Sequence, residues 1–115
     1  MHTSASFTQE EWEFIAVGST NDLEDGQRLF VEIDDRMIVL FNVSGKIHAI
    51  EDMCSHDNNP LGDGELNRHE ITCPRHGAVF DIRNGKVLSL PAVVDIPVYP
   101  VRVLEGEIFV GIPIL

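Results

Sequence analysis

Each of the two cysteines in this chain of 115 residues is followed closely by a histidine. The first pair is Cys54-Ser55-His56 and the second is Cys73-Pro74-Arg75-His76, a C-x-H and a C-x-x-H separated by residues 57–72. Only five histidines are present, so a histidine at short offset after every cysteine is a rare coincidence. Thiolates are soft anionic donors and neutral imidazoles donate without adding charge, a set that suits a transition metal. Nucleophilic Cys–His chemistry would use one pair and leave the other without a role. Zinc held by Cys54, His56, Cys73 and His76 is the serious alternative, but structural zinc sites usually group Cys with Cys and His with His along the chain. Two short loops, each delivering one Cys and one His, can instead place both thiolates on one iron and both imidazoles on the other iron of a sulfide-bridged [2Fe–2S] cluster. Two ferric ions and two sulfides carry two positive charges, which the two thiolates cancel. The oxidised site is then neutral, and one added electron leaves a single negative charge.

The elements that must position these loops read as all-β. Apolar stretches at residues 29–33, 37–43 and 47–50 are short, rich in Val, Ile and Phe, and separated by Asp34-Asp35 and Ser44-Gly45 as turns. Residues 78–82 and 86–88 flank Arg83-Asn84-Gly85, whose Asn-Gly pair suits the positive φ values of a tight hairpin. Residues 96–103 and 108–110 supply closing strands around Glu105-Gly106, with Pro97 and Pro100 placing the former near a sheet edge. Ser19-Thr20-Asn21-Asp22 and Thr8-Gln9-Glu10-Glu11 each resemble a capping box that could start one helical turn. No repeat or linker divides the chain, so residues 1–115 are expected to form a single domain, compact from about Trp12 to Ile112. The first ten or so residues, His2 among them, are expected to fray. Residues 51–72 lack a sustained period and read as a long irregular loop, the kind that carries function in a compact domain.

Through Cys54-Ser55-His56 and Cys73-Pro74-Arg75-His76-Gly77 the sequence resembles the Rieske iron–sulfur proteins, and the resemblance covers most of the chain. Pro60-Leu61 and residues 62–66 look like the family's continuation of the first cluster loop. Residues 80–87 look like its following hairpin, and Leu90-Pro91-Ala92 falls where the family places a third loop over the cluster. The resemblance implies a cluster-binding subdomain at about residues 51–91 inserted in a stacked antiparallel β base. It also implies one [2Fe–2S] cluster, with Cys54 and Cys73 on the inner iron and His56 and His76 on the exposed iron. Departures are equally informative. Asn59 and Arg75 stand where the respiratory branch of the family has a pair of disulfide-forming cysteines, and Ala78 and Phe80 stand where it has a serine and a tyrosine hydroxyl directed at sulfur. Centres with two histidine ligands span about −150 to +300 mV, and the missing donors point to the low end, near −150 mV. Gly77 and Pro74 read as devices for a tight second loop, and Leu61, Phe80 and Pro91 as apolar shielding. Arg75 reads as a surface charge or a partner-docking residue. His48 reads as a satisfied sheet histidine, and His69 lies in a polar turn.

Composition narrows the function. Nineteen acidic against eight basic residues give a net charge of −11, which disfavours nucleic acid and anionic membrane surfaces as partners. The apolar runs are too short to span a membrane, and the first residues carry no secretory signal, so a soluble cytoplasmic protein is expected. The chain carries no G-x-G-x-x-G motif and no further His/carboxylate group for a mononuclear iron. The favoured expectation is therefore not an enzyme but a one-electron carrier, resembling the ferredoxins of bacterial Rieske non-haem oxygenase systems, between a flavin-dependent reductase and a terminal oxygenase. A small Rieske-like subunit of a larger reductase, such as a nitrite reductase, and a zinc-stabilised interaction module are the alternatives.

Overall fold

The computed structural model of the chain describes residues 6–56 and 59–114. Among the described residues, eleven strands form three antiparallel sheets. The first sheet has the order β1-β2-β11-β10, from Ser6–Gln9, Trp12–Ser19, Glu107–Pro113 and Val101–Leu104. The second has the order β3-β4-β5-β9, from Arg28–Ile33, Arg36–Val43, Lys46–Glu51 and Val98–Tyr99. The third and smallest, β6-β7-β8, comprises Glu65–Asn67, Glu70–Thr72 and Val79–Asp81. No helix among the described residues is long and apolar enough to cross a membrane.

Turn chemistry sets the register of the base. Asp34 and Asp35 adopt φ of 50° and 67°, Ser44 and Gly45 55° and 91°, and Glu105 and Gly106 51° and 79°. Paired positive φ values match the right-handed twist of the flanking strands, so each two-residue turn closes a continuous ladder. Side chains satisfy the amides these bends expose: Asp25 accepts from the Ser44 N–H at 2.8 Å and Asn42 Oδ1 from the Gly45 N–H at 2.9 Å.

Strand β4 explains why residues 38–41 are uniformly apolar. Its alternate side chains enter two different cores, Ile38 and Leu40 on one face and Val39 and Phe41 on the other. The first core also contains Leu23, Ala49, Tyr99, Ile108 and Val110. The second contains Ile50, Leu61, Ile71, Phe80 and both cysteines. A strand buried on both faces shows no polar alternation.

Several local expectations are corrected. Residues 6–9 do not fray but pair with β2, because Phe7 stacks on Phe14 with centroids 5.2 Å apart and meets Phe109 edge-on at 4.9 Å. His2 lies outside the described residues. The same hairpin overrides the helical start expected at Thr8-Gln9-Glu10-Glu11, where Glu10 instead turns the chain with φ of 57°. The second capping box does form: Ser19 caps a single 3-10 turn over Thr20–Asp22, and Asp22 bonds back to the Ser19 N–H at 3.1 Å. The strand expected over residues 96–103 breaks at Pro100, so β9 ends one edge of the second sheet and β10 one edge of the first. The irregular stretch expected over 51–72 is shorter, because β6 and β7 form a hairpin around Arg68, at φ of 60°. A polar three-residue strand leaves no readable alternation.

Candidate metal centre

Each cluster loop grows from the end of a strand. Strand β5 runs into Cys54, whose amide donates to the Asn59 carbonyl at 2.8 Å, closing the first loop on itself. Strand β7 runs into Cys73, whose amide donates to the Ala78 carbonyl at 2.7 Å while its own carbonyl accepts from the Gly77 N–H at 3.1 Å. That closure needs φ of +77° at Gly77, a backbone state open to glycine and costly for most other residues. Asp57 and Asn58, in the first loop, lie outside the described residues.

The loops sort thiol from imidazole by depth. Cys54 and Cys73 are 0% and 1% exposed, share one apolar core and form no disulfide. His56 and His76 are exposed, with ring centroids 4.9 Å apart at an interplanar angle of 78°. Buried thiols and surface imidazoles fit the two ends of a binuclear cluster: anionic ligands on an iron away from water, neutral ligands on an iron at the surface. Tetrahedral zinc would need its ligands about 2.0–2.3 Å from one point. A pair of irons bridged by sulfide asks for two protein ligands on each metal.

The surroundings of the cysteines are apolar. Leu61, Ala78 and Phe80 are fully buried in the same core, and Pro91 is half-buried. Residues 86–96 form the third loop, with Ala92 and Ile96 as its buried anchors. The hairpin expected before it is less regular than its Asn-Gly pair suggested. Only Gly85 takes a positive φ, Asn84 Oδ1 instead accepts from the Lys86 N–H at 3.0 Å, and Phe80 with Val87 forms an isolated bridge. The returning strand is cut short because two amides that would extend its ladder bond side chains instead, the Lys86 N–H to Asn84 Oδ1 and the Val79 N–H to Ser89 Oγ at 3.2 Å. A Cβ at Gly85 would lie 2.0 Å from the Ile96 carbonyl, so the residue also permits this close packing.

Two residues that sequence reasoning missed hold the return of the first loop. Asp52 Oδ1 accepts from the Leu61 N–H at 2.9 Å and the Gly62 N–H at 2.6 Å. Arg28, on β3, donates to the Gly62 and Gly64 carbonyls, the latter at 2.7 Å, and places its guanidinium 5.3 Å from the Phe41 ring centroid. A carboxylate two residues before a buried cysteine was a signal for Asp52. Arg28 left none, because its partners are backbone atoms more than thirty residues away. Arg75 extends from the second loop to the first, where Nη2 donates to the Pro60 carbonyl at 3.2 Å.

His48 departs from expectation. Its ring meets His69 edge-on with centroids 5.6 Å apart, but Nε2 is buried and has no hydrogen-bond partner. A ring contact replaces the bond expected in the sheet. Burial, with added repulsion from His69, Lys46 and Arg83 and a smaller opposing pull from Asp81, holds its pKa below the usual 6.5. Nearby, the Arg83 guanidinium bonds Asp81 at 2.8 Å and keeps that carboxyl below its ordinary value, against the opposing effect of burial.

Comparison with known proteins agrees with this arrangement. Residues 13–100 match the family described as the Rieske [2Fe–2S] domain. The ferredoxin subunit of 3-phenylpropionate/cinnamic acid dioxygenase from Escherichia coli is 40% identical over 93 residues, covering 80% of this chain and 87% of that protein. Among solved structures, the ferredoxin of carbazole 1,9a-dioxygenase from Nocardioides aromaticivorans IC177 superposes with a TM-score of 0.80 at 29% identity, covering 84% of this chain and 95% of its own. A ferredoxin in a complex of reduced oxygenase and oxidised ferredoxin from carbazole 1,9a-dioxygenase matches with a TM-score of 0.79 at 30% identity over 85% of this chain and 92% of that one. With buried thiols, surface imidazoles and these relatives in agreement, the chain belongs to the Rieske [2Fe–2S] domain family.

Proposed function

We propose that the chain is a cytoplasmic one-electron carrier that takes electrons from a flavin-dependent reductase and delivers them to a terminal oxygenase. In this reading residues 51–91 act as the cluster-binding unit, with Cys54 and Cys73 as ligands of the inner iron and His56 and His76 as ligands of the outer iron. The observation that carries it is the depth difference between the pairs, thiols at 0% and 1% exposure against imidazoles at the surface. The group supplies reversible uptake of one electron. The protein's own residues exclude water from the sulfur side through Leu61, Ala78 and Phe80, and leave the histidine edge open to a partner. The relatives named as ferredoxins, one of them solved with its oxygenase, support the carrier role.

A low potential follows from the same surroundings. Hydroxyl donors to sulfur would favour the reduced, more negative centre, and the buried side chains at residues 78 and 80 are Ala and Phe. That places the potential toward about −150 mV, suited to feeding an oxygenase.

Iron and acid-labile sulfide analysis, with an electron paramagnetic resonance (EPR) spectrum of the dithionite-reduced protein, tests the reading. Two irons, two sulfides and a reduced-cluster signal are expected; one zinc with no signal would falsify it. Redox titration of His76→Cys tests the ligand assignment, since a third thiolate adds negative charge and should lower the potential. An intact cluster with a raised potential would overturn that assignment.

A further inference from the structure

The break at Pro100 leaves a gap in the base. The β5–β9 ladder pairs Ala49 with Tyr99 and Ile50 with Val98, and beyond Tyr99 the chain crosses to the first sheet as β10. Among the described residues no strand pairs with Lys46–His48 on that edge of β5. The amide and carbonyl of Ile47 face the gap, because Ile47 lies in the same alternate row as Glu51, whose amide donates to the Pro97 carbonyl on that side. An open cavity of about 480 Å³ occupies the gap, within the range of about 300–1,000 Å³ usual for small-molecule sites.

The lining is divided by chemistry. Trp12, Ile47, Tyr99 and Val101 supply aromatic and apolar walls, and the exposed Lys46 and Arg83 supply cations. Among the described residues that line the cavity none is acidic, in a protein with 19 acidic residues and a net charge of −11. Asp81 orients the Arg83 guanidinium through Nε at 3.1 Å and Nη2 at 2.8 Å, which leaves Nη1 as a donor for a ligand. His48 also lines the cavity and reports its field. Burial is the first cause of its lowered pKa, and repulsion from His69, Lys46 and Arg83 adds to it against the smaller pull of Asp81. Cations set beside aromatic walls, with no carboxylate among them, suit a ligand that has a negative end and an apolar body.

We propose that this cavity binds a small organic carboxylate with an aromatic body, the carboxylate held by Lys46 and Arg83 and the ring laid against Trp12 and Tyr99. The site is separate from the metal centre. Its lining includes none of Cys54, His56, Cys73 and His76 and no residue of the third loop, so it can fill while the histidine edge stays open. The inference goes beyond the carrier reading and does not depend on it.

Trp12 is the single tryptophan of the chain, so its fluorescence follows occupancy of the cavity. Titration of the holoprotein with 4-phenylbutyrate, repeated by equilibrium dialysis, should show saturable binding of one molecule per chain together with a change in Trp12 emission. Neutral 4-phenylbutanol and inorganic phosphate each lack one half of the ligand and should bind at least about tenfold more weakly. Lys46→Glu should weaken 4-phenylbutyrate about tenfold. Lys86→Glu, the same change of charge placed on the third loop, should alter it less than about twofold. The reduced-cluster EPR spectrum should be the same with and without ligand and in both variants. Absence of saturable binding, equal affinity for the alcohol and the acid, or equal weakening by the two variants would overturn the proposal. Phosphate that displaces 4-phenylbutyrate at equal concentration would overturn the aromatic half of the assignment, and with it the ligand class.

Discussion

The two faces of β4 border regions built on different principles. On one face, strands of up to eight residues run in long ladders, the hairpins closed by two-residue turns and the β2–β11 pairing shifted once between Ile108 and Phe109, around a core of aliphatic side chains with Tyr99. On the other, no strand of the third sheet exceeds three residues, and many backbone groups are satisfied by side chains that reach in from elsewhere, among them Asp52, Arg28, Ser89 and Asp95. The base supports itself with backbone hydrogen bonds and apolar burial. The site side has two thiols in its core where a self-sufficient fold would have methyl groups, and on the proposed ligand assignment bonds to the cluster would complete its loops.

Removing one of those bonds should separate the regions most strongly. Cys73→Ser should prevent cluster assembly, and hydrogen exchange should then show residues 51–80 exchanging faster by orders of magnitude while β2, β4 and β11 stay protected. Equal loss of protection on both faces of β4 would refute the division. A smaller effect is expected within the site side at Gly64, where a Cβ would stand 1.8 Å from the Thr72 carbonyl oxygen. Gly64→Ala should cost about 3 kcal/mol in denaturant unfolding of the holoprotein, because the obstacle is backbone of a neighbouring strand.

How much of this was legible in the sequence follows the same division. The hairpins over residues 28–51 could be read because Asp34-Asp35 and Ser44-Gly45 are short-range signals acting between strands long enough to show their pattern. The proposed ligand set came from residue type and spacing alone, without knowledge of the fold. The β6–β7 hairpin was hidden, as were the clamps at Asp52 and Arg28, because strands of three residues have no period and the clamps bond to carbonyls and amides that every residue possesses. The break at Pro100 was half visible: a proline marks an edge, but not that two edges of different sheets meet there.

The smallest expected effect probes the border between the regions, where His48 on β5 meets His69 in the β6–β7 turn. A buried nitrogen without a partner is a cost of about 1 kcal/mol, so His48→Leu should raise stability by up to that amount. The pH dependence has a definite sign. With the folded pKa below 6.5, the unfolded chain takes up a proton before the folded one does, so the stability present above pH 6.5 declines as pH falls toward the folded value. His48→Leu should remove that part of the decline. A variant as acid-sensitive as the parent below pH 6.5, by thermal unfolding, would show that His48 is not responsible for it.

Burial of β4 on both sides has a further consequence for the rate at which an electron can move. A shift of the cluster loops relative to the base would have to displace side chains packed on Val39 and Phe41, and the strand that carries these two is held from its other face by Ile38 and Leu40 in the base core. On the carrier reading, that packing should keep nuclear rearrangement on reduction small on the buried side of the site. A carrier with so little to rearrange can exchange its electron within the brief life of an encounter.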